Sequence, residues 1–293
     1  MIVVTTPTGS IGHQALEHLI RADAPLRVIA RDPSRLPAAV HEHAEVVKGA
    51  SHDPAVLAEA LAGADSLLWV MPPDPAAASV HAHAIAFTGP LCDAITAHRV
   101  PRVVGVSSLG RAVARHAGQI SAVFAMDHLI ESTGVHYRSL GMPGFMDNML
   151  WQLEPIRSQG VFFGSLPADR KSPACATRDI AAVAAGLLLD PTWTGQETVA
   201  VPGPEDLSPD DMARVMSEEL GRPIGYRRLP AQALQASMVE RGMTQAWAQG
   251  LTDMTAAVEA GLYDAEPYPD RATTSPTTFR TWCREVLRPA LGA

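Results

Sequence analysis

Basic side chains are scarce in this chain. Of its 293 residues, 23 are lysine or arginine and 31 are aspartate or glutamate, which gives a net charge of −8. Only Lys48 and Lys171 are lysines. Binding to nucleic-acid phosphates needs a basic patch or stripe, which this composition does not favour. We therefore expect no nucleic-acid partner.

Cysteines and long apolar runs are also few. The three cysteines, Cys92, Cys175 and Cys283, are far apart and form no Cys-x-x-Cys pair, which argues against a disulfide framework or a cysteine zinc site. No uncharged apolar run reaches the length of about 18 residues that a membrane helix needs, and the first residues lack the basic region of a signal peptide. We expect a cytoplasmic protein that does not enter a membrane.

Two histidine pairs have the letters of metal ligands, His41-Glu42-His43 and His81-Ala82-His83. On a helix, side chains two residues apart point to different faces, so neither pair would converge on one ion. We expect no metal site.

The remaining composition is typical of a globular chain, with 47% apolar residues and a mean hydropathy of +0.05. Short β-branched runs alternate with helix-length segments, as in a parallel sheet with crossover helices. The predicted strands are Ile2–Thr5, Leu26–Ala30, Ala44–Val47, Ser66–Val70, Arg102–Val106 and Val135–Leu140, and the predicted helices are Ile11–Arg21, Pro54–Ala62, Ala76–Ala97 and Ile120–Thr133. These elements predict an α/β fold with a doubly wound parallel sheet, the Rossmann architecture.

The second half of the chain is divided into short pieces by prolines. We predict a Rossmann domain over residues 1–150 and a smaller C-terminal α+β lobe over residues 151–293, with residues 175–202 returning to the first domain. Thr177–Leu189 is a predicted helix and Thr198–Val201 a predicted strand. Ser208 caps a predicted helix that ends near Leu220, and a further helical region covers Ala231–Gly261.

The segment Thr6-Pro7-Thr8-Gly9-Ser10-Ile11-Gly12 joins the first predicted strand to the first predicted helix. Such a turn presents backbone N–H groups and the positive end of the helix dipole to a pyrophosphate. Gly9 and Gly12 occupy the second and third positions of a Gly-x-x-Gly-x-x-Gly pattern, whereas Thr6 replaces the first glycine. The Cβ of Thr6 either reshapes the turn or weakens the site. The candidate cofactor-binding residues here are Thr6, Thr8, Gly9, Ser10, Ile11 and Gly12.

Arg31-Asp32-Pro33-Ser34-Arg35 follows the second predicted strand. An acid at this position accepts hydrogen bonds from the ribose 2′-hydroxyl of NAD, whereas an arginine neutralises the 2′-phosphate of NADP. Arg31 therefore predicts NADP, and Asp32 leaves NAD as the alternative. Arg31 and Arg35 join the candidate cofactor-binding residues.

A series of short motifs follows in order along the chain. The motifs are Val47-Lys48-Gly49 with Asp53-Pro54, Met71-Pro72-Pro73, Val106-Ser107-Ser108-Leu109-Gly110, Pro143-Gly144-Phe145-Met146-Asp147-Asn148, Arg178-Asp179, Gly203-Pro204-Glu205, Leu220-Gly221-Arg222-Pro223 and Ser275-Pro276-Thr277-Thr278-Phe279. Together with the glycine segment and Arg31, this order resembles the NmrA-like family of atypical short-chain dehydrogenases/reductases over nearly the whole chain. The resemblance implies an NADP-binding Rossmann domain, a small C-terminal lobe and a substrate cleft between them. It also implies an activity such as quinone or triphenylmethane dye reduction, or a regulator that binds dinucleotide without turnover.

The Tyr-x-x-x-Lys pair that the superfamily uses to protonate a carbonyl is missing, because none of the four tyrosines is followed by a lysine four residues later. Reduction of a quinone or an extended conjugated cation does not need that pair, since the delocalised product can take its proton from water. Such chemistry needs orientation above all.

The candidate substrate residues are Phe145, Asn148 and Trp151, because they follow the sixth predicted strand, where the cleft of such a sheet opens. The alternative for these side chains is ordinary core packing.

Met71, Pro72 and Ser107 complete the candidate cofactor-binding set. Ser107 and His128 are also the candidates for a catalytic role. Ser107 could polarise a substrate oxygen, or its hydroxyl could satisfy a backbone group. His128 is a candidate proton donor across the cleft, with a helix-surface position as its alternative.

We therefore predict an NADPH-dependent oxidoreductase that transfers hydride to a quinone-like or other conjugated apolar small molecule, as a monomer or homodimer. Two alternatives stay open. The missing Tyr-x-x-x-Lys pair favours a catalytically silent regulator that senses NADP, and Thr6 favours a non-redox enzyme that uses the same cleft.

Overall fold

The computed structural model describes residues 1–264, residue 268 and residues 271–292. The strands are β1 (Ile2–Val4), β2 (Leu26–Ala30), β3 (Ala44–Lys48), β4 (Ser66–Trp69), β5 (Arg102–Val106), β6 (His136–Gly141), β7 (Gly144–Phe145), β8 (Val161–Gly164), β9 (Ser172–Cys175), β10 (Gln196–Ala200), β11 (Asp206–Leu207) and β12 (Gly225–Arg228). The helices are α1 (Ser10–Arg21), α2 (Ala38–His43), α3 (Pro54–Leu61), α4 (Val80–His98), α5 (Gln119–Ser132), α6 (Leu153–Gln159), α7 (Thr177–Leu189), α8 (Pro209–Leu220), α9 (Ala231–Glu240), α10 (Gln245–Glu259), α11 (Arg271–Thr274), α12 (Phe279–Trp282) and α13 (Arg288–Leu291). Short 3-10 helices cover Pro33–Arg35 and Met146–Gln152, and a π-helical turn covers Cys283–Leu287.

Seven parallel strands form the main sheet of the described residues, in the order β10-β6-β5-β4-β1-β2-β3. β1 pairs with both β2 and β4, so the strand order reverses beside β1. β1 and β4 are buried along their whole length, as expected for strands that have helices on both faces. The predicted doubly wound α/β fold is confirmed. In such sheets ligands bind outside the carboxyl ends of the strands, where the order reverses.

Two hydrophobic cores hold the helices on the sheet. On one face α1 and α7 bury Leu16 and Ile180 in a common cluster. On the other face α3, α4 and α5 bury Leu57, Leu91 and Ile130. Helices cover both faces of the sheet and hold the strands and helices in place. The turns that connect them at the carboxyl edge are therefore held at both ends.

The seventh strand differs from the sequence prediction. The sequence predicts six strands and a further strand at Thr198–Val201; β10 covers Gln196–Ala200, begins two residues earlier, and pairs with β6 along its whole length. β10 is one of the two edge strands of this sheet, and its first three residues are exposed and polar. An apolar pattern therefore does not reveal where it begins.

The helices also differ from the prediction in places. α4 begins at Val80 rather than at Ala76, because the side chain of Ser79 caps the helix there. The predicted helical region Ala231–Gly261 is divided into α9 and α10 around Gly242, whose φ of +95° is incompatible with a helix. α2 has only six residues and was not predicted.

The C-terminal part of the chain adds two small sheets, β11-β9-β7 and β12-β8, and a core that includes Phe162, Met216 and Trp282. The carboxylate of Asp179 on α7 accepts the backbone N–H of Thr277 at 2.9 Å and its hydroxyl at 2.7 Å. This contact ties the smaller lobe to a helix of the main sheet. The division near residue 150 stays a prediction.

The smaller lobe also contacts the loop between β4 and α4. Thr244, the N-cap of α10, donates its hydroxyl to the carbonyl of Ala77 at 2.7 Å and its N–H to the carbonyl of Pro75 at 2.9 Å. One edge of the cleft described below is thereby fixed by the C-terminal lobe. Within the described ranges, no helix combines the length and apolar character needed to cross a bilayer.

Candidate functional site

A cleft of about 820 Å³ lies along the carboxyl edge of the main sheet. Its walls come from the segments that follow β1, β2, β3, β4 and β6, and from the end of β5. Of the predicted site residues, those in the lining are Thr6, Thr8, Gly9, Ser10, Ile11, Gly12, Arg31, Arg35, Met71, Pro72, Phe145, Asn148 and Trp151. Ser107 and His128 are not in it.

The glycine turn leads from β1 into α1. Gly9 is the N-cap of α1, so no side chain caps the first turn, and that turn contains no acid. The first N–H groups of the helix are therefore left for a ligand, and the helix dipole favours an anion. A Cβ on Gly12 would lie 2.3 Å from the carbonyl oxygen of Thr6, whereas a Cβ on Gly9 would lie 3.4 Å from the same atom. Only glycine fits at position 12 without a shift of the backbone.

Thr6 keeps the tight turn that the missing glycine would make. Its φ is +50°, in the left-handed region, at a cost of about 1–2 kcal/mol for a residue with a Cβ. Its carbonyl accepts the N–H of Gly9 at 3.0 Å. Its Oγ1 is buried and has no hydrogen-bond partner among the described residues. The turn is strained by Thr6, and the hydroxyl is an unsatisfied polar group in the cleft wall.

The segment after β2 separates its acid from its two arginines. The Oδ1 of Asp32 accepts the hydroxyl of Ser34 at 2.6 Å and the N–H of Ser34 at 3.1 Å. The hydroxyl, followed by the N–H, lowers the pKa of Asp32 below its usual range. Arg31 and Arg35 are exposed, and their guanidinium groups make no hydrogen bond or ion pair with any described residue. Asp32 is therefore hydrogen-bonded to Ser34, whereas Arg31 and Arg35 are available to bind a ligand.

The loop after β4 forms the opposite wall. Met71 and Pro72 line the cleft, and the carbonyl of Pro72 lies 3.1 Å from Nε2 of His83 on α4. The ring of His83 also lies against Phe87 and Trp247, at 5.7 and 6.0 Å between centroids. His83 therefore serves to hold this wall against the C-terminal lobe.

The remaining paired histidines are dispersed. His41 lies 3.0 Å from the carbonyl of Pro33, His43 lies 2.8 Å from that of Ala39, and His81 is exposed. In the part of the chain that the structure describes, no three His, Cys, Asp or Glu side chains are grouped to hold a metal ion.

Ser107 lies at the end of β5 with 7% of its surface exposed. Its hydroxyl donates to Oδ2 of Asp127 at 2.5 Å, while Tyr137 donates to Oδ1 at 2.7 Å and Ser139 donates to Oδ2 at 3.0 Å. Since its hydrogen is given to Asp127, the Ser107 hydroxyl is left with only an acceptor function toward a ligand. His128, the residue that follows Asp127 on α5, is exposed.

Asp127 was not among the sequence candidates, although it is the one acid inside the apolar stretch Ile120–Ile130 of α5. It is fully buried, and desolvation raises its pKa against the effect of the three hydroxyl donors and of Arg111. A Cβ on Gly105 of β5 would lie 2.0 Å from the Tyr137 hydroxyl, so the glycine makes room for this network. Asp127 joins α5 to β5 and β6 beneath the carboxyl edge.

The turn after β6 supplies the apolar end of the cleft. Phe145 is half-buried, Asn148 is exposed and Trp151 has 80% of its surface exposed. An exposed tryptophan in a cleft wall leaves a large apolar face without a contact.

Asp147, in the same turn, has a structural contact that the sequence did not predict. Its carboxylate accepts the hydroxyl and N–H of Thr177, at 2.8 and 3.1 Å. The Thr177 hydroxyl in turn accepts from Gln14 of α1 at 2.9 Å. The turn after β6, α7 and α1 are thereby locked together at the cleft wall.

Comparison with known proteins identifies relatives of this chain. A model of the NmrA-like family matches residues 1–269. The chain is 30% identical over 300 residues to the (4-alkanoyl-5-oxo-2,5-dihydrofuran-3-yl)methyl phosphate reductase of Streptomyces griseus, covering 97% of both chains. It is 27% identical over 279 residues to the NAD(P)H azoreductase of Xenophilus azovorans, covering 91% of this chain and 92% of that one. Among solved structures, the NADPH-dependent quinone oxidoreductase of Escherichia coli in complex with NADPH has the same fold, with a TM-score of 0.79, 21% identity and coverage of 96% and 97%.

Proposed function

Since the chain belongs to the NmrA-like family, we propose that it is an NADPH-dependent oxidoreductase that transfers hydride to a quinone-like or other conjugated apolar small molecule. The relatives named above as reductases support this activity. The observation that carries the proposal is the single cleft that extends from Arg31, past the glycine turn, to Phe145 and Trp151.

The glycine turn fits a dinucleotide. The uncapped first turn of α1, the unpartnered Oγ1 of Thr6 and the absence of a Cβ at Gly12 together make a cradle for a pyrophosphate. Thr6, Thr8, Gly9, Ser10, Ile11 and Gly12 would hold the phosphates. This argues against the non-redox alternative, which needs Thr6 to close the site.

The adenosine end fits NADP better than NAD. Arg31 and Arg35 offer two free guanidinium groups for a 2′-phosphate, whereas the carboxylate of Asp32 is already bound to Ser34. Met71 and Pro72 would bound the cofactor on the β4 side. Ser107 lies outside the cleft lining, next to Val106, which is in it; its hydroxyl would act only as an acceptor, for an amide N–H of the nicotinamide.

The substrate end suits a planar apolar acceptor. Phe145 and Trp151 supply aromatic faces, and Asn148 supplies one amide for a polar substituent. Bound NADPH would supply the hydride. The chain's part is to orient the two reactants, because the Ser107 hydroxyl donates its hydrogen to Asp127 and is not free to protonate a product. A conjugated acceptor fits a site without such a proton donor, because its reduced product can take a proton from water.

We extend the proposal to organisation and setting. Residues 1–150 with 175–202 would bind the cofactor and the remainder of 151–293 the substrate side, in a cytoplasmic monomer or homodimer. The net charge of −8 supports the expectation of no nucleic-acid partner.

The first test is calorimetric titration of the protein with NADP and NAD, repeated on Arg31→Ala. Loss of charge-assisted hydrogen bonds should weaken NADP binding by about tenfold or more and leave NAD binding unchanged. Arg241→Ala is the matched control, since Arg241 is also exposed and lies outside the cleft lining. NADPH oxidation is then followed with a panel of quinones and other conjugated acceptors. Absence of dinucleotide binding overturns the proposal, and binding without turnover of any acceptor favours the silent regulator.

A further inference from the structure

The segment Arg31–Arg35 contains an acid between two arginines, yet the acid pairs with neither. Both of its recorded hydrogen bonds come from Ser34 and end on one oxygen, Oδ1. Arg35 contributes only a longer-range attraction that ranks behind these hydrogen bonds in its effect on the Asp32 pKa. Ser34, through its hydroxyl and its backbone N–H, and not an arginine, therefore holds one oxygen of the carboxylate.

The turn that carries these residues is anchored on both sides. Pro33 fixes the backbone at its first position, and the N–H of Leu36 donates to the Pro33 carbonyl at 3.0 Å. Leu36 is 6% exposed and Val40 is 2% exposed, so both are part of the core beside α1. Because the backbone is held, a change at Ser34 acts on the Asp32 carboxylate and leaves the position of the turn unchanged.

An acid at the end of β2 has opposite effects on the two dinucleotides. A free carboxylate accepts the ribose hydroxyls of NAD, and it repels a 2′-phosphate and competes with it for arginine. Asp32 lines the cleft, whereas Ser34 does not. Ser34 thus occupies Oδ1 of an acid that lines the cleft beside the two arginines.

We propose that Ser34 is a specificity-determining residue: by binding the Asp32 carboxylate, its hydroxyl keeps Arg31 and Arg35 available for a 2′-phosphate and withholds the acid from NAD. This inference rests on the proposed NADP site. Ser34 lies outside the cleft lining and would influence the choice of cofactor through Asp32.

The test compares the dissociation constants of NADP and NAD for the wild type, Ser34→Ala, Ser34→Thr and the double variant Ser34→Ala with Asp32→Asn. Ser34→Ala should lower the ratio of the NAD constant to the NADP constant by about fivefold, equivalent to about 1 kcal/mol. Ser34→Thr keeps the hydroxyl and should keep the wild-type ratio. Adding Asp32→Asn removes the freed charge and should restore the preference for NADP.

The ratio separates this role from a structural one, because damage to the turn would weaken both dinucleotides together and leave their ratio unchanged. A Ser34→Ala ratio within about twofold of the wild type, with NADP still bound, overturns the inference and leaves the proposed function standing. A double variant that keeps the altered ratio also overturns it, since the effect would then not pass through Asp32. Failure of the wild type to bind NADP overturns the proposed function and, with it, this inference.

Discussion

The substitution Gly12→Ala has two opposing effects on stability: it favours the helix, and it adds a Cβ that clashes with the backbone. The new Cβ would lie 2.3 Å from the carbonyl oxygen of Thr6, 3.0 Å from its carbonyl carbon and 3.2 Å from the carbonyl oxygen of Thr5. All three atoms belong to the backbone, so no side-chain rotation relieves the contact. Thr6 is already in the left-handed region and has little room to yield.

Helix propensity alone would make this variant more stable, since alanine is favoured over glycine inside a helix by about 1 kcal/mol. Overpacking of a rigid site costs about 1–3 kcal/mol, and a shortfall of about 1 Å against backbone atoms belongs at the upper end of that range. We expect a net loss of about 2 kcal/mol of unfolding free energy. NADP binding should weaken by about tenfold or more, because the first turn of α1 has to move away from β1.

Denaturant unfolding measures the stability and calorimetric titration measures the affinity. Gly186→Ala is the matched control, since Gly186 lies in α7 and no heavy atom lies within 4 Å of a Cβ built there. That control should gain up to about 1 kcal/mol from propensity alone. A Gly12→Ala variant that gains stability as Gly186→Ala does would refute the argument from close approach.

Two further predictions concern the substrate end and the buried network. Trp151→Ala should leave the unfolding free energy within about 0.5 kcal/mol, because the side chain is 80% exposed. It should raise the KM for a conjugated acceptor about three- to tenfold, with NADP affinity unchanged, and Trp151→Phe should recover most of the loss; an unchanged KM would contradict an aromatic substrate wall. Burial raises the pKa of Asp127 in the folded state above the ordinary value of 3.8. The folded protein therefore holds the carboxyl proton more tightly than the unfolded chain does. The stability that this proton contributes is present at low pH and is lost as pH rises through the folded pKa. As pH rises above about 4, the unfolding free energy of the wild type should therefore fall relative to that of Asp127→Asn. A difference between the two that does not change with pH would contradict the raised pKa of Asp127.

The sequence was informative where local chain chemistry decides the structure. Five of the six strands β1 to β6 are mostly buried and β3 is an exception, but continuous runs rich in apolar residues marked all six to within a residue or two. The glycine turn and Arg31 also follow from local order, because a strand that leads through glycines into a helix has few conformations available. The start of β10 was predicted two residues late, because exposed polar residues begin this strand.

Side-chain partners at a distance were beyond such reasoning. Asp127 is bound by hydroxyls on β5 and β6, and Asp147 caps α7 through Thr177, thirty positions away. A sequence pattern records that an acid is present and says nothing about which donors reach it. NAD stayed open at Asp32 for a different reason: Ser34 is only two positions away, but the sequence does not decide whether the acid binds this hydroxyl or a ribose.

The family motifs of the C-terminal half bind one another rather than the cleft. Asp179 accepts from Thr277, Ser275 accepts the N–H of Gly203, and Glu205 accepts the N–H of Phe279. Gly203 has a φ of +79°, and a Cβ there would lie 1.8 Å from the carbonyl oxygen of Ala174, so this junction tolerates no side chain. These residue types are therefore required to attach the smaller lobe to the sheet, whatever the substrate. The choice of substrate would instead depend on the turn that carries Phe145, Asn148 and Trp151, where exposed side chains can change at little cost to the fold.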